Sequence, residues 1–206
     1  HSKETDLITR EAVKILGCSG IVNDVVKRAD RDYNKFSHAS KDEKFIRGIE
    51  AVVKADGPTL VVWIHGAKDA SIVKEARHKA SDFKGNSQNL HALIGYGQGS
   101  YPVYKKDAKS QFTAEKETVE KFRDLLTQNG MTTILTRPDA EDFRGRDPNN
   151  MNQWFVENGY NFDQVQSIQL EIRKTGFRDT NDIKRTAEII SAALENYAKD
   201  NQGVYP

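Results

Sequence analysis

Cysteine is almost missing from this 206-residue chain: Cys18 stands alone, which excludes an internal disulfide and a cysteine-based zinc site. A reducing, cytoplasmic setting is the expectation. No run approaches the roughly 18 apolar residues of a membrane span, and the N-terminus lacks the charged-then-apolar order of a signal peptide, so a soluble chain without a membrane partner is expected. Charge of one sign is missing as well. The 31 Lys and Arg residues against 30 Asp and Glu leave no overall field to favour nucleic acid, and any positive site must be local. There is no internal repeat and no low-complexity linker. A chain of this length suits one domain, spanning 1–206, with a core of useful size.

What is present is an alternation of strand and helix patterns. Thr5-Asp6 followed by Ile8, Ala12, Val13, Ile15 and Leu16, with Gly17 as a stop, reads as a capped amphipathic helix. A strand is expected over 20–26. Ser40-Lys-Asp-Glu43 has the form of a capping box opening a second helix with Phe45, Ile49, Val52 and Val53 on its buried face. Leu60-Val-Val-Trp-Ile64 is a continuous apolar run of the buried-strand kind, ending on His65-Gly66. Helices are expected through 72–80 and 114–127, short strands at 90–94 and 131–136, and mainly loop over 139–163. A last helix is capped at Thr180 or Asn181. The order predicts an α/β fold of three layers, a mostly parallel or mixed sheet flanked by helices.

The segment Val165-Gln-Ser-Ile-Gln-Leu-Glu-Ile172 carries the functional signal. As a strand it sends Ile168, Leu170 and Ile172 to one face and Ser167, Gln169 and Glu171 to the other, which reads as a carboxylate displayed rather than hidden. Ligands in open α/β sheets bind outside the carboxyl ends of the strands, so His65 and Glu171 are expected to face one cleft. The glycine-rich Gly95-Tyr-Gly-Gln-Gly99 could cradle an anion or serve as a plain turn. Neither a phosphate-loop nor a dinucleotide fingerprint is present, which argues against nucleotide binding. His38 and His78 read as surface residues, and Asp32 as a local cap or a partner of Arg28.

Four constellations occur in order: His1-Ser-Lys-Glu4, then Arg28-Ala-Asp-Arg-Asp32-Tyr-Asn34-Lys35, then Ile64-His65-Gly66, then Gln169-Leu-Glu171. In that order they resemble the zinc carboxypeptidase and aspartoacylase superfamily. The wording Val165–Arg173 and the Gly95–Ser100 loop are most similar to N-formylglutamate amidohydrolases and phage-type poly-γ-glutamate hydrolases. The resemblance implies Zn²⁺ held by His1, Glu4 and His65, two ligands from one turn and a third from another strand, with a position left open for water. It implies Glu171 as the proton carrier and Arg28 as the group that steadies charge on the amide oxygen.

The same resemblance gives Asn34 and Lys35 to a substrate carboxylate. Lysine departs from the arginine of the pattern, offering a point charge in place of a bidentate fork. Arg144 and Arg146, with Arg173 and Arg178 behind them, are the substitutes, and His91 is a reserve metal ligand. A strand is expected ahead of His-x-x-Glu, and these residues do not include it. The expected function is a zinc-dependent amidohydrolase acting on an amide beside a carboxylate, on an N-acyl amino acid, N-formylglutamate-like or γ-glutamyl peptide substrate. The alternative of another class is a non-catalytic domain of the same fold that binds an acidic ligand and has lost the metal.

Overall fold

The computed structural model describes residues 3–22, 30, 32–55, 58–97, 112–140, 142–147 and 149–201. Helix α1 (Lys3–Leu16) carries Glu4 and Asp6 in its first turn, where carboxylates complement the helix dipole. It buries Ile8 and Ala12 and stops at Gly17, whose φ of 65° is the left-handed conformation that glycine supplies at a helix end. Gly20, Ile21 and Val22 form no strand, and the rest of the strand expected there, 23–26, lies outside the described residues. After the single-turn helix α2 (Phe36–Ala39) comes α3 (Glu43–Ala55). The cap of α3 is Asp42 rather than Ser40: Asp42 Oδ1 accepts from the Phe45 amide at 3.2 Å, and its other oxygen takes the Tyr33 hydroxyl at 2.5 Å.

Strand β1 (Thr59–Gly66) leads into α4 (Asp69–Arg77), and β2 (Ala92–Gly95) follows a 3₁₀ turn at Ser87–Asn89. Helix α5 (Lys116–Gln128) ends before Gly130, at φ 98°, and leads to β3 (Thr133–Leu135). Thr113, directly before the helix expected over 114–127, does not cap it: its hydroxyl donates to the Ser167 carbonyl at 2.6 Å. Gln166 Oε1 on β4 accepts from the Glu115 amide at the helix start. The stretch read as loop contains a further helix, α6 (Met151–Glu157), before β4 (Val165–Ile172) and α7 (Ile183–Asp200). Helix α7 starts behind Asp182, with no side-chain cap from the Thr180 or Asn181 expected there.

The four strands form one mixed sheet in the order β1-β4-β2-β3, with β1/β4 and β2/β3 parallel and β2/β4 antiparallel. One face presents Leu60, Val62, Ile64, Ile168, Leu170 and Ile172 to a core shared with α1, α5 and α7. The other presents Val61, Trp63 and Val165 to α2, α3 and α6, and Leu93 and Ile134 to α4. Each fully buried aliphatic side chain in these layers contributes about 1.5–3 kcal/mol, so the second and third rungs of the sheet fix the register. Among the described residues, no helix is long and apolar enough to cross a membrane.

Candidate active site

The parallel pairing of β1 with β4 sets His65 opposite Glu171. Register partners on neighbouring strands lie about 4.8 Å apart and project from the same face. Both residues line a cleft of about 280 Å³ at the carboxyl ends of these strands, one closed by Thr5, Asp6 and Thr9 of α1, by the 32–34 turn and by Phe143. Imidazole 65 and carboxylate 171 therefore share one cavity, set by the sheet register rather than by a mobile loop.

Glu171 is not displayed as its strand pattern suggested. It is 5 % exposed, and all eight residues of β4 are buried. The reason is α6, which covers the polar face of the strand and supplies the partners that a buried polar group requires. Gln169 Nε2 donates to Glu171 Oε1, and Gln169 Oε1 accepts from Asn150 Nδ2 at 3.2 Å. One rung further back, Ser167 Oγ donates to Asn152 Oδ1 at 2.8 Å and accepts from Trp63 Nε1 at 2.9 Å. Asn152 Nδ2 in turn donates to Thr113 Oγ1 at 2.9 Å.

On the opposite wall the Asp32-Tyr33-Asn34 turn is self-organised. Asp32 Oδ1 accepts from the Asn34 amide at 3.1 Å, and the Asp32 amide donates to His38 Nδ1 at 2.9 Å. Asn34 lines the cleft, and its buried Oδ1 has no hydrogen-bond partner among the described residues. An acceptor in that condition is suited to an N–H brought by a ligand. Lys35 is exposed and lies outside the cleft lining, its backbone bridging to Asn150.

The remaining expected residues are distributed as follows. His1 and Arg28 lie outside the described residues, as do Gln98 and Gly99 of the glycine loop. Glu4 is half-buried in the first turn of α1, and Asp6, two residues on, is the acid of that turn that lines the cleft. Among the described residues, no group of three or more His, Cys, Asp or Glu side chains is gathered as a metal ion would need. His91 has a structural occupation: Nδ1 accepts from the Thr132 amide at 3.0 Å and the ring packs 4.5 Å from that of Phe177. Burial first, then the charges of Arg173 and Arg185, hold its pKa below the usual histidine value.

Arg144 is buried and donates to the Pro138 carbonyl, Arg173 donates to the carbonyls of Gln88 and Leu90, and Arg178 to those of Ile172 and Ala67. Arg146 is half-buried. None of the four lines the cleft.

No protein-family profile matches this sequence, and no curated protein matches it. Among solved structures the chain is similar to the crystal structure of N-formylglutamate amidohydrolase from Ralstonia eutropha JMP134. The TM-score is 0.50 at 14 % identity, over 81 % of this chain and 53 % of that one. The likeness is one of fold. This chain spans about half the length of that neighbour.

Sequence reasoning missed three contributors to the cleft or its support. Asp6 was read with Thr5 as the cap of the first helix, but α1 already runs from Lys3, which puts Asp6 inside the first turn and at the cleft. Asn150 stood in a stretch read as loop, where an Asn directly before an apolar run is an N-cap signal. Phe143 gave no signal at all. It has φ 66°, the one non-glycine residue at positive φ among those described, a conformation bulky residues rarely adopt. Its carbonyl sits where a Cβ on Gly95 would be, 2.1 Å away. The glycine at the end of β2 thus lets the 143–145 loop close over the sheet and set the ring at the cleft.

Proposed function

We propose that the chain is a zinc-dependent amidohydrolase that cleaves an amide beside a carboxylate, on an N-acyl amino acid, an N-formylglutamate-like compound or a γ-glutamyl peptide. The observation that carries this reading is the pairing of His65 with Glu171 in one cleft at the carboxyl ends of parallel strands. The order of the sequence constellations and the fold likeness support it.

The donors available fit zinc in kind, an imidazole at a strand end with one carboxylate from the first turn of α1, Asp6, lining the same cleft and Glu4 two residues before it. His65 would hold the ion together with Glu4 and His1. Zinc, when bound, supplies Lewis-acid polarisation of the amide carbonyl and of water.

Glu171 takes the proton of the attacking water and delivers it to the departing amine. A sheltered carboxylate aimed by an amide donor suits both halves of that task. Asn34 Oδ1 accepts an N–H of the substrate, which places the scissile amide against the His65 side of the cleft. Lys35, next in sequence to the cleft-lining Asn34, and Arg146, in the loop that follows the cleft-lining Phe143, are the cations for the substrate carboxylate. Arg28 steadies the charge that builds on the amide oxygen.

Two variants and a chelator test the reading with N-formyl-L-glutamate and γ-glutamyl-glutamate as substrates. Glu171→Gln should lower kcat about 10²–10⁴-fold with little change in KM, and His65→Ala should remove both bound zinc and hydrolysis. Full activity in the presence of a chelator, or in Glu171→Gln, overturns the proposal. Protein that binds glutamate yet carries no zinc and cleaves neither substrate would instead be the non-catalytic acidic-ligand domain.

A further inference from the structure

We infer that Asn150 and Gln169 form a two-amide relay that sets the orientation of the Glu171 carboxylate, and that both are positioning residues for the reaction. The inference rests on the proposed reading of Glu171 as the proton carrier. It begins with directionality. A glutamine amide has a donating and an accepting end of nearly equal shape, and only its neighbours decide which way round it sits. For Gln169 the accepting end meets Asn150 Nδ2 at 3.2 Å and the donating end meets Glu171 Oε1. Reversal would set donor against donor at Asn150 and oxygen against oxygen at Glu171, so the two contacts stand or fall together.

Asn150 has the same ambiguity, and it is resolved by a group that cannot turn. Asn150 is the N-cap of α6, and its Oδ1 accepts from the Asn152 backbone amide at 2.8 Å. With the oxygen committed to the helix, the NH₂ must point at Gln169. Orientation therefore passes from the backbone polarity of α6 to Asn150, to Gln169, and to a carboxylate buried at the cleft.

Asn150 also touches the other wall. Its backbone bridges to Lys35, and the Met151 amide donates to the Asn34 carbonyl at 2.9 Å. One residue thus references both the proton carrier and the turn that presents Asn34. Gln169 and Glu171 share one face of β4 two residues apart, so the relay needs no loop to stay in place.

The test separates the relay from ordinary support of the fold. Asn150→Asp keeps the capping oxygen and removes the NH₂, so α6 stays capped while Gln169 loses the partner that orients it. Gln169→Leu removes the relay outright. In ¹H–¹⁵N spectra of the whole protein, the Gln169 side-chain amide, identified by its loss in Gln169→Leu, should stand apart from solvent-exposed glutamines. It should move back toward them in Asn150→Asp and in Glu171→Gln. A resonance indifferent to Asn150→Asp overturns the relay whether or not a substrate is known.

With N-formyl-L-glutamate, Gln169→Leu and Asn150→Asp should each lower kcat by about 10- to 100-fold while KM stays within about threefold, as expected when a catalytic group is misplaced rather than removed. Adding Asn150→Asp to Gln169→Leu should cost no more than about twofold, because linked residues are not additive. A through-space effect of the new charge would instead persist in that background and would refute the relay. If Glu171→Gln keeps full activity, the amidohydrolase reading falls and the spectra alone judge the relay. If Glu171→Gln is inactive while Gln169→Leu retains wild-type kcat, the relay falls and the function stands.

Discussion

Gly66, the residue after His65, has no room for a side chain. A Cβ there would stand 2.5 Å from both Cζ and Nη1 of Arg178. The buried Arg178 guanidinium donates from Nε to the Ile172 carbonyl at 2.9 Å and from Nη2 to the Ala67 carbonyl at 2.8 Å. It therefore stitches the ends of β1 and β4 together one rung beyond His65 and Glu171. Hydrogen bonds from a charged donor contribute about 1.5–3 kcal/mol each. Ile172 also accepts from the Ala67 amide at 2.9 Å, so its carbonyl keeps a partner when Arg178 is displaced and the larger loss falls on Ala67.

Against this, Gly→Ala at a compatible backbone position recovers about 0.4–1 kcal/mol by restricting the unfolded chain. Gly66→Ala should then destabilise the fold by about 2–4 kcal/mol, read as a lowered midpoint in urea unfolding with an unchanged slope. Arg178→Ala should cost a similar amount. The decisive measurement is the double variant: with Arg178 truncated, the three atoms nearest the added methyl are gone, so Gly66→Ala should cost little further. The interaction energy in this cycle should be about 2 kcal/mol or more. If the two changes add within about 0.5 kcal/mol, the steric conflict is not what makes residue 66 glycine.

Two further outcomes follow from the same structure. Asn152→Ala removes the acceptor of the Ser167 hydroxyl and one donor to Thr113 Oγ1 in a fully buried network, while Ser167 Oγ keeps Trp63 Nε1 and Thr113 Oγ1 keeps the Ser167 carbonyl, so with one donor left unsatisfied the loss should be about 1–3 kcal/mol; a change under about 0.5 kcal/mol in urea would show that water takes over the network. His91 is held below its ordinary value of 6.5 by burial first and then by the charges of Arg173 and Arg185. The unfolded chain thus binds the extra proton more readily, and the stabilisation is complete above pH 6.5 and lost as pH falls below it. His91→Asn, whose Oδ1 can stand in for Nδ1 toward the Thr132 amide, should flatten that decline, and identical pH–stability curves for the two proteins would refute the assignment.

The parts of the fold legible in the sequence are those with a single period or a hard stop. Helix α1 has its 3.6-residue stripe and Gly17, β1 its unbroken apolar run, and α5 its Asn129-Gly130 ending. Helix α6 was not legible because Met151, Asn152, Gln153, Trp154 and Phe155 are all buried, so no polar face exists to reveal a period. The capping residues were misplaced by a few positions at α3, α5 and α7 for a related reason. Several Ser, Thr, Asn and Asp residues stand before each helix, and which one caps is decided by tertiary contacts such as Thr113 with Ser167. Arg144, Arg173 and Arg178 looked like candidates for an anion. Their occupation with backbone carbonyls depends on loops whose paths sequence patterns do not encode.

Strand β4 shows why the candidate site was only half legible. Its alternation correctly divides Ser167, Gln169 and Glu171 from Ile168, Leu170 and Ile172, but alternation separates polar from apolar faces and not wet from dry ones. Here β4 lies between β1 and β2, with helices over both sides, so its polar face is roofed by α6 and every member needs a partner. Burying a carboxylate without such partners costs far more than an apolar residue at the same place. The chain keeps Glu171 there with Gln169 and Asn150 arranged to receive it. The same residue pattern on an edge strand would mean only a solvated surface. On an interior strand ending at a cleft, it means a buried carboxylate with arranged partners, as the proposed role of Glu171 requires, and that distinction comes from the sheet order, which no local stretch of sequence carries.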